Sequence, residues 1–119
     1  MQLVNIEIEE KIPYTLSLTH RDETTNLPVD LTGYSAIIQV RGAFGSSSLF
    51  LELTSTSGSI ILGGVYGTID VIFTSEMSDT SQQTTGWTRA VYDLVIIDTL
   101  GKRIKLTKGF ITILRSSSI

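Results

Sequence analysis

Apolar and polar residues alternate along most of this chain with the period of two that is typical of β-strands. The clearest segment runs from Ala90 to Ile96, where every even position is apolar and Asp93 is the one charged residue. Two valines on the odd side make that face partly apolar too. The segment is therefore predicted to be a central strand, covered at least in part on both faces. The alternation places Tyr92 and Leu94 in the core and Asp93 outside it.

The final strand contains a change of phase. Ile104 and Leu106 are at even positions, whereas Ile111 and Ile113 are at odd positions. A β-bulge adds one residue to a strand and so moves the following side chains to the other face. We expect such a bulge near Lys108–Gly109, because the extra residue would bring all four apolar side chains to the core. Gly109 is expected to adopt a positive φ there, which glycine does at low cost.

The remaining segments alternate in the same way and predict further strands. Pro13 removes a backbone donor, so the first strand is expected to end or bend near Lys11–Ile12, and the next begins at Tyr14. Turn signals separate the segments. The apolar residues that share one face of each segment are Val4, Ile6 and Ile8, then Tyr14, Leu16 and Leu18, then Tyr34, Ala36, Ile38 and Val40, then Leu49, Leu51 and Leu53, and finally Ile69, Val71 and Phe73, of which the last three are predicted to face inward.

Closely spaced short strands without a long helix predict an all-β chain. We expect an immunoglobulin-like antiparallel β-sandwich of about seven to nine strands. An immunoglobulin-type order would pair the first and last strands near an edge, but a single sequence does not establish strand pairing. At 119 residues the chain is long enough to bury a core and short enough to form a single domain, residues 1–119.

The composition excludes several classes of function. Cysteine is absent, which removes disulfide frameworks, thiol nucleophiles and Cys-ligated zinc. The net charge of −3 has the wrong sign for a protein whose main partner is a phosphate backbone, so nucleic-acid binding is not expected. No apolar run approaches the roughly 18–20 residues of a membrane span, and Glu7, Glu9 and Glu10 stand where a signal peptide would be basic and then apolar. Membrane insertion is therefore not expected either.

Candidate catalytic chemistry is sparse. His20 is the single histidine, so a catalytic triad or multi-histidine metal site is not expected. It lies in a polar segment, and we expect it at the surface. Glu7 and Glu9 share one face of a strand, where charges typically protect an exposed edge or face. The glycine-rich Gly63–Gly67 precedes a strand pattern, not the helix that a phosphate loop requires. We expect no enzymatic activity, no cofactor and no bound metal.

Five segments carry a resemblance to a known family: Pro28–Ala36, Ser57–Gly64, Gly67–Ile69, Tyr92–Leu94 and Lys108–Ile113. Together they resemble a family of small tail-associated proteins of bacteriophages and prophages. Related domains occur as immunoglobulin-like modules at the N-terminus of upper baseplate proteins, where they help attach receptor-binding components to the tail. The resemblance covers most of the chain from Pro28 onward.

The resemblance implies a virion structural protein, synthesised in the host cytoplasm, that acts as a tail, baseplate or fibre-attachment adaptor. Its partners would be other virion proteins, reached through protein–protein contacts, with several copies in each particle. One alternative is a capsid decoration protein. Another is a carbohydrate-binding module in which Trp87 and Tyr66 stack on a sugar, although a lone tryptophan more often packs in the core or at its rim.

The N-terminal strand and two loops are predicted to contact partners, because the apolar side chains of the other strands are expected to face the core. The segments are Leu3–Glu9, whose edge offers unpaired backbone groups, together with Ala43–Ser48 and Met77–Trp87. Deleting residues 1–9 is accordingly expected to leave a folded domain that does not assemble. The residues predicted to bind partners are Val4, Ile6, Ile8, Phe44, Met77 and Trp87.

Overall fold

The chain is built of short β-strands in a computed structural model that describes residues 2–43, 49–74, 77 and 89–114. A 3₁₀ turn, Gly64–Tyr66, precedes the seventh strand. The described strands are β1 (Gln2–Leu3), β2 (Ile6–Glu9), β3 (Tyr14–Thr19), β4 (Ser35–Arg41), β5 (Leu49–Thr54), β6 (Ile60–Leu62), β7 (Thr68–Phe73), β8 (Arg89–Ile97) and β9 (Arg103–Leu114).

These strands form two sheets, and the chain is an all-β sandwich of the immunoglobulin-like class, as the sequence predicts. The larger sheet has the order β1-β9-β8-β4-β5, with β2 also paired to β9, and the smaller sheet has the order β3-β7-β6. The first and last strands pair, as an immunoglobulin-type order implies. This pairing is parallel, however, so the larger sheet is mixed where a fully antiparallel sheet was expected.

The core lies between the sheets and follows the predicted alternation. In β8, Tyr92 and Leu94 are 1% and 0% exposed, and Asp93 is only half-buried. Val91 is buried on the opposite side of the same strand, which confirms that β8 is partly covered on both faces. The inward residues of β4 and β7 alternate in the same way, and Ile38, Ile69 and Leu94 belong to one hydrophobic cluster.

The change of phase in β9 is real, but the bulge lies earlier than predicted. Leu94 pairs with Thr107 and Val95 pairs with Lys105, so Leu106 is the extra residue. Beyond this bulge the odd positions of β9, including Ile111 and Ile113, face the core. The prediction of a bulge at Lys108–Gly109 was therefore wrong in position. Gly109 is also not among the glycines with positive φ, so its predicted conformation was wrong as well.

Gly109 is required for close packing, not for backbone conformation. It lies opposite Tyr92 on β8, and a Cβ atom added to it would overlap the carbonyl oxygen of Val4. That same oxygen accepts a hydrogen bond from the Tyr92 hydroxyl at 2.6 Å. The side chain of Asn5 completes the junction by accepting a hydrogen bond from the Phe110 N–H at 3.1 Å. The missing side chain thus lets the first strand approach β9 where β1 gives way to β2.

The N-terminal strand is part of the core. Ile6 and Ile8 of β2 are 1% and 3% exposed, and they alternate with the exposed Glu7 and Glu9. The strand pairs along one side with the end of β9. A turn at residues 10–13 then carries the chain to β3 in the other sheet, so the break predicted at Pro13 is a crossing between the two layers.

Candidate interaction surfaces

The residues predicted to bind partners do not form one surface. The side chains of Ile6 and Ile8 are buried in the core, which corrects the expectation that these two contact a partner. Val4 is half-buried against the core. Met77 is also half-buried and packs against the core. Its backbone N–H donates to the carbonyl of Thr74 at 3.1 Å. Phe44 and Trp87 lie outside the residues that the structure describes.

The described residues that flank the two predicted loops nevertheless lie at one end of the sandwich, which we call the base. It is the end at which β2, β4, β7 and β9 finish and β3, β5 and β8 begin. Strand pairing places Glu9 beside Leu114 and Arg41 beside Leu49 there. The described residues that flank segments 44–48 and 78–88 are therefore at the same end of the molecule.

A row of side chains crosses the outer face of the larger sheet near the base. Leu49 on β5 pairs with Arg41 on β4, Arg41 pairs with Val91 on β8, and Val91 pairs with Phe110 on β9. Residues directly opposite one another in a sheet point to the same face, so these four side chains lie side by side. With Arg89 and Leu114, which follow the same alternation, they form what we call the base patch.

The base patch combines accessible apolar surface with arginine. Leu49, Leu114 and Phe110 are 45%, 43% and 38% exposed. The Arg89 guanidinium lies 4.9 Å from the centroid of the Phe110 ring, a cation–π arrangement that holds both side chains on the surface. Aromatic residues and arginine are enriched in the centres of protein–protein interfaces. The patch therefore has the composition of a docking surface for another protein.

A polar row limits the base patch on the side away from the base. Gln39 on β4 lies between Glu52 on β5 and Asp93 on β8, and Asp93 is opposite Lys108 on β9. The Gln39 amide donates to the Glu52 carboxylate at 2.9 Å, and its oxygen accepts from Arg41 at 2.8 Å. An apolar centre beside a hydrogen-bonded polar rim is the usual arrangement of a protein interface.

The sequence did not reveal this patch as a unit. The alternation in β9 does predict that Phe110 and Leu114 face away from the core. However, Leu49, Arg41, Val91 and Phe110 come from four strands, and only the register brings them into one row. The expectation that Leu49 shares a face with Leu51 and Leu53 was wrong, because a register shift beside Arg41 turns it outward.

A groove lies between the two sheets, at the end opposite the base. This groove has a volume of about 570 Å³ and lies between the end of β3 and the start of β9. His20 lines it and is half-buried. The full lining is Leu18, Thr19, His20, Arg21, Glu23, Ile104, Lys105, Leu106 and Thr107.

Of the two aromatic residues proposed for sugar stacking, Tyr66 is 72% exposed on the 3₁₀ turn that precedes β7, at the end opposite the base. Trp87 lies outside the residues that the structure describes.

Within the described ranges, no three or more His, Asp or Glu side chains are grouped so that they could hold a metal ion. The same residues contain no helix with the length and apolar character needed to span a membrane. No protein-family model matches the chain, and no curated protein matches it significantly.

Proposed function

We propose that this domain is a bacteriophage virion structural protein that acts as a tail, baseplate or fibre-attachment adaptor through protein–protein contacts and without catalysis. The observation that carries the proposal is the base patch, in which Phe110 and Arg89 form an accessible aromatic and cationic pair beside exposed leucines. The resemblance of the sequence to small phage tail proteins supplies the virion context.

The base patch provides anchors of the kind that dominate binding energy between proteins. Phe110 and Leu49 can be covered by a partner without any change in the core, because both side chains point away from it. Arg89 lies over the aromatic ring and can donate hydrogen bonds to carbonyl or carboxylate groups of the partner. Truncation of such central anchors typically weakens binding by more than about 1 kcal/mol.

The test is association of variants with phage particles. Phe110→Ala should reduce the amount of protein that co-purifies with particles by about fivefold or more, since about 1 kcal/mol corresponds to that factor. Leu100→Ala is the matched control, because Leu100 is 92% exposed in the turn at the opposite end. Both variants should keep the thermal midpoint of the wild type within a few degrees. Equal association of Phe110→Ala and wild type would remove the base patch from the proposal.

The part of the particle that retains the protein distinguishes a tail adaptor from a capsid decoration protein. Dissociating purified particles into tails and capsids, then measuring which fraction retains the chain, tests the adaptor role directly. Retention on capsids alone would favour the decoration protein. Absence from both fractions, combined with specific binding on a glycan array, would favour the carbohydrate-binding module.

A further inference from the structure

The open edges of the two sheets differ in how they are protected against pairing with another chain. Along β2 the exposed Glu7 and Glu9 carry charges. Along β5 a register shift interrupts the ladder and Glu52 adds a charge, while β6 is only three residues long. Charges, irregularities and short length are the usual protections of edge strands.

The edge formed by β3 has none of these protections among the described residues. The strand is six residues long, its sequence Tyr-Thr-Leu-Ser-Leu-Thr has no charge, and its register with β7 is regular throughout. On its other side no described strand pairs with it. An immunoglobulin-type sandwich usually has a further strand at this position. The β3 edge is therefore available for another strand.

The backbone groups that face this open edge can be assigned from the hydrogen bonds. The N–H of His20, which continues β3, donates to the carbonyl of Gly67 at 2.8 Å, so His20 points its backbone toward β7. The side to which the backbone N–H and C=O groups point alternates from one residue to the next along an antiparallel strand. Thr15, Ser17 and Thr19 consequently direct their N–H and C=O groups away from β7 and into the open edge.

The opposite strand gives the same answer independently. Thr68 and Ile72 are paired with Thr19 and Thr15. Thr68 accepts a hydrogen bond from the Gly63 N–H, and the Ile72 N–H donates to Ser59, so both point toward β6. In a non-hydrogen-bonded pair of an antiparallel ladder, the two residues point away from each other. The backbone of β3 must then face outward at these positions.

The sequence of β3 is self-complementary about its centre. Read in either direction from Ser17, the strand gives leucine and then threonine: Thr15-Leu16-Ser17-Leu18-Thr19. If two such strands run antiparallel with Ser17 opposite Ser17, each Thr15 lies opposite a Thr19. These are the residues whose backbone groups face the edge, so every facing pair can exchange hydrogen bonds. Facing threonine pairs on the exposed side are favourable, and no like charges meet.

We infer that two copies of this chain pair through their β3 edges, antiparallel and centred on Ser17, and so join their smaller sheets into one continuous sheet. The contact is isologous, because the same strand serves both copies. It adds to the proposed function by stating how copies of the module associate with each other. It does not depend on the base patch.

The surroundings of β3 fit a second copy. The exposed Ile12, at 49%, precedes β3 in the turn after β2. In the antiparallel register this residue of the second copy extends toward the end of β3 in the first, where Leu18, Ile104 and Leu106 line the groove. The acidic β2 lies on the same side of the sandwich, so carboxylates of the two copies would repel at low salt. Salt of about 0.15 M or more, where the Debye length is about 8 Å or less, reduces this repulsion.

The first test is the mass of the protein in solution. At such salt, sedimentation of the wild type should give twice the monomer mass of 13.0 kDa, falling toward the monomer on dilution. Ser17→Pro removes an N–H that faces the open edge and leaves the β7 ladder intact, so it should sediment as a folded monomer. Ser17→Ala keeps that N–H and should remain dimeric. A wild type that is monomeric at millimolar concentration would overturn the inference.

The second test uses the symmetry of the register. Ser17→Lys and Ser17→Glu should each be monomeric, because like charges would meet at the centre of the contact. An equimolar mixture of the two should recover the dimer mass. Failure of the mixture to associate, or a dimer formed by either variant alone, would overturn the Ser17-centred pairing. Particle association by a protein that is monomeric in solution would overturn the dimer and leave the proposed virion role intact.

Discussion

The side chain of Tyr92 connects three strands through a single hydroxyl. It extends from β8 across Gly109 of β9, and its hydroxyl donates to the Val4 carbonyl at 2.6 Å. Burial raises the pKa of the Tyr92 phenol above its usual range, and the nearby Tyr14 adds to the shift. The hydroxyl therefore remains a neutral donor at physiological pH and holds the N-terminal strand on the sheet.

This raised pKa predicts an alkaline loss of stability. In the unfolded chain the phenol ionises near pH 10, whereas the folded chain still retains the proton there. The unfolded state then binds fewer protons than the folded state, so the free energy of unfolding falls as pH rises above about 10. Tyr92→Phe should lose about 1 kcal/mol at neutral pH and show a shallower alkaline decline. Denaturant midpoints from pH 8 upward measure both effects, and parallel profiles for the two proteins would contradict the assignment.

Gly109 is the second residue on which this junction depends. Gly109→Ala should destabilise the domain by about 1–3 kcal/mol, because the new Cβ would overlap the Val4 carbonyl and push the first strand from β9. Gly58→Ala is the control. That glycine has positive φ, but an added Cβ meets no atom within 4 Å, so it should cost about 1 kcal/mol and leave the N-terminal strand in place. Amide hydrogen exchange in residues 4–9 should accelerate in Gly109→Ala alone.

At the scale of elements, alternation predicted which side chains are inward but not what surrounds each strand. The phase change in β9 was visible because Ile104 and Ile113 differ in parity. The position of the bulge was not visible in the sequence, because a bulge at Leu106 or at Gly109 gives the same parity to the residues beyond it. Gly109 was singled out for its conformational freedom, whereas its role comes from Val4, more than 100 residues away in sequence. Such contacts are set by tertiary packing and leave no local signal.

For the first strand, the structure changes the expected result of deleting residues 1–9. The sequence alone predicts that the chain without residues 1–9 still folds. Ile6 and Ile8 are buried, however, and losing a buried isoleucine side chain costs about 2–5 kcal/mol, against a total stability of about 5–15 kcal/mol for a typical domain. The truncated protein should therefore be largely unfolded, as measured by circular dichroism. Glu7→Gln, on the exposed face of the same strand, should leave the unfolding midpoint unchanged.

For the whole molecule, the sandwich was predictable because nearly every strand carries its own alternation, and residues on one face must find a second layer. The surfaces were less predictable. The base patch requires β5, β4, β8 and β9 to lie in that order, and the open β3 edge requires that no described strand cover it. Both depend on pairing between distant segments, which a single sequence does not specify.

These two surfaces belong to different sheets, and this separation gives the last prediction. Phe110 lies on the outer face of the larger sheet, whereas Ser17 lies on the edge of the smaller one, with the core between the layers. Phe110→Ala should therefore keep the dimer mass, and combining it with Ser17→Pro should give the same monomer as Ser17→Pro alone. Sedimentation of the wild type, the two single variants and the double variant at one concentration measures this. A monomeric Phe110→Ala would instead place the contact between copies on the outer face of the larger sheet, because an exposed side chain there can affect association only by lying in the interface or beside it.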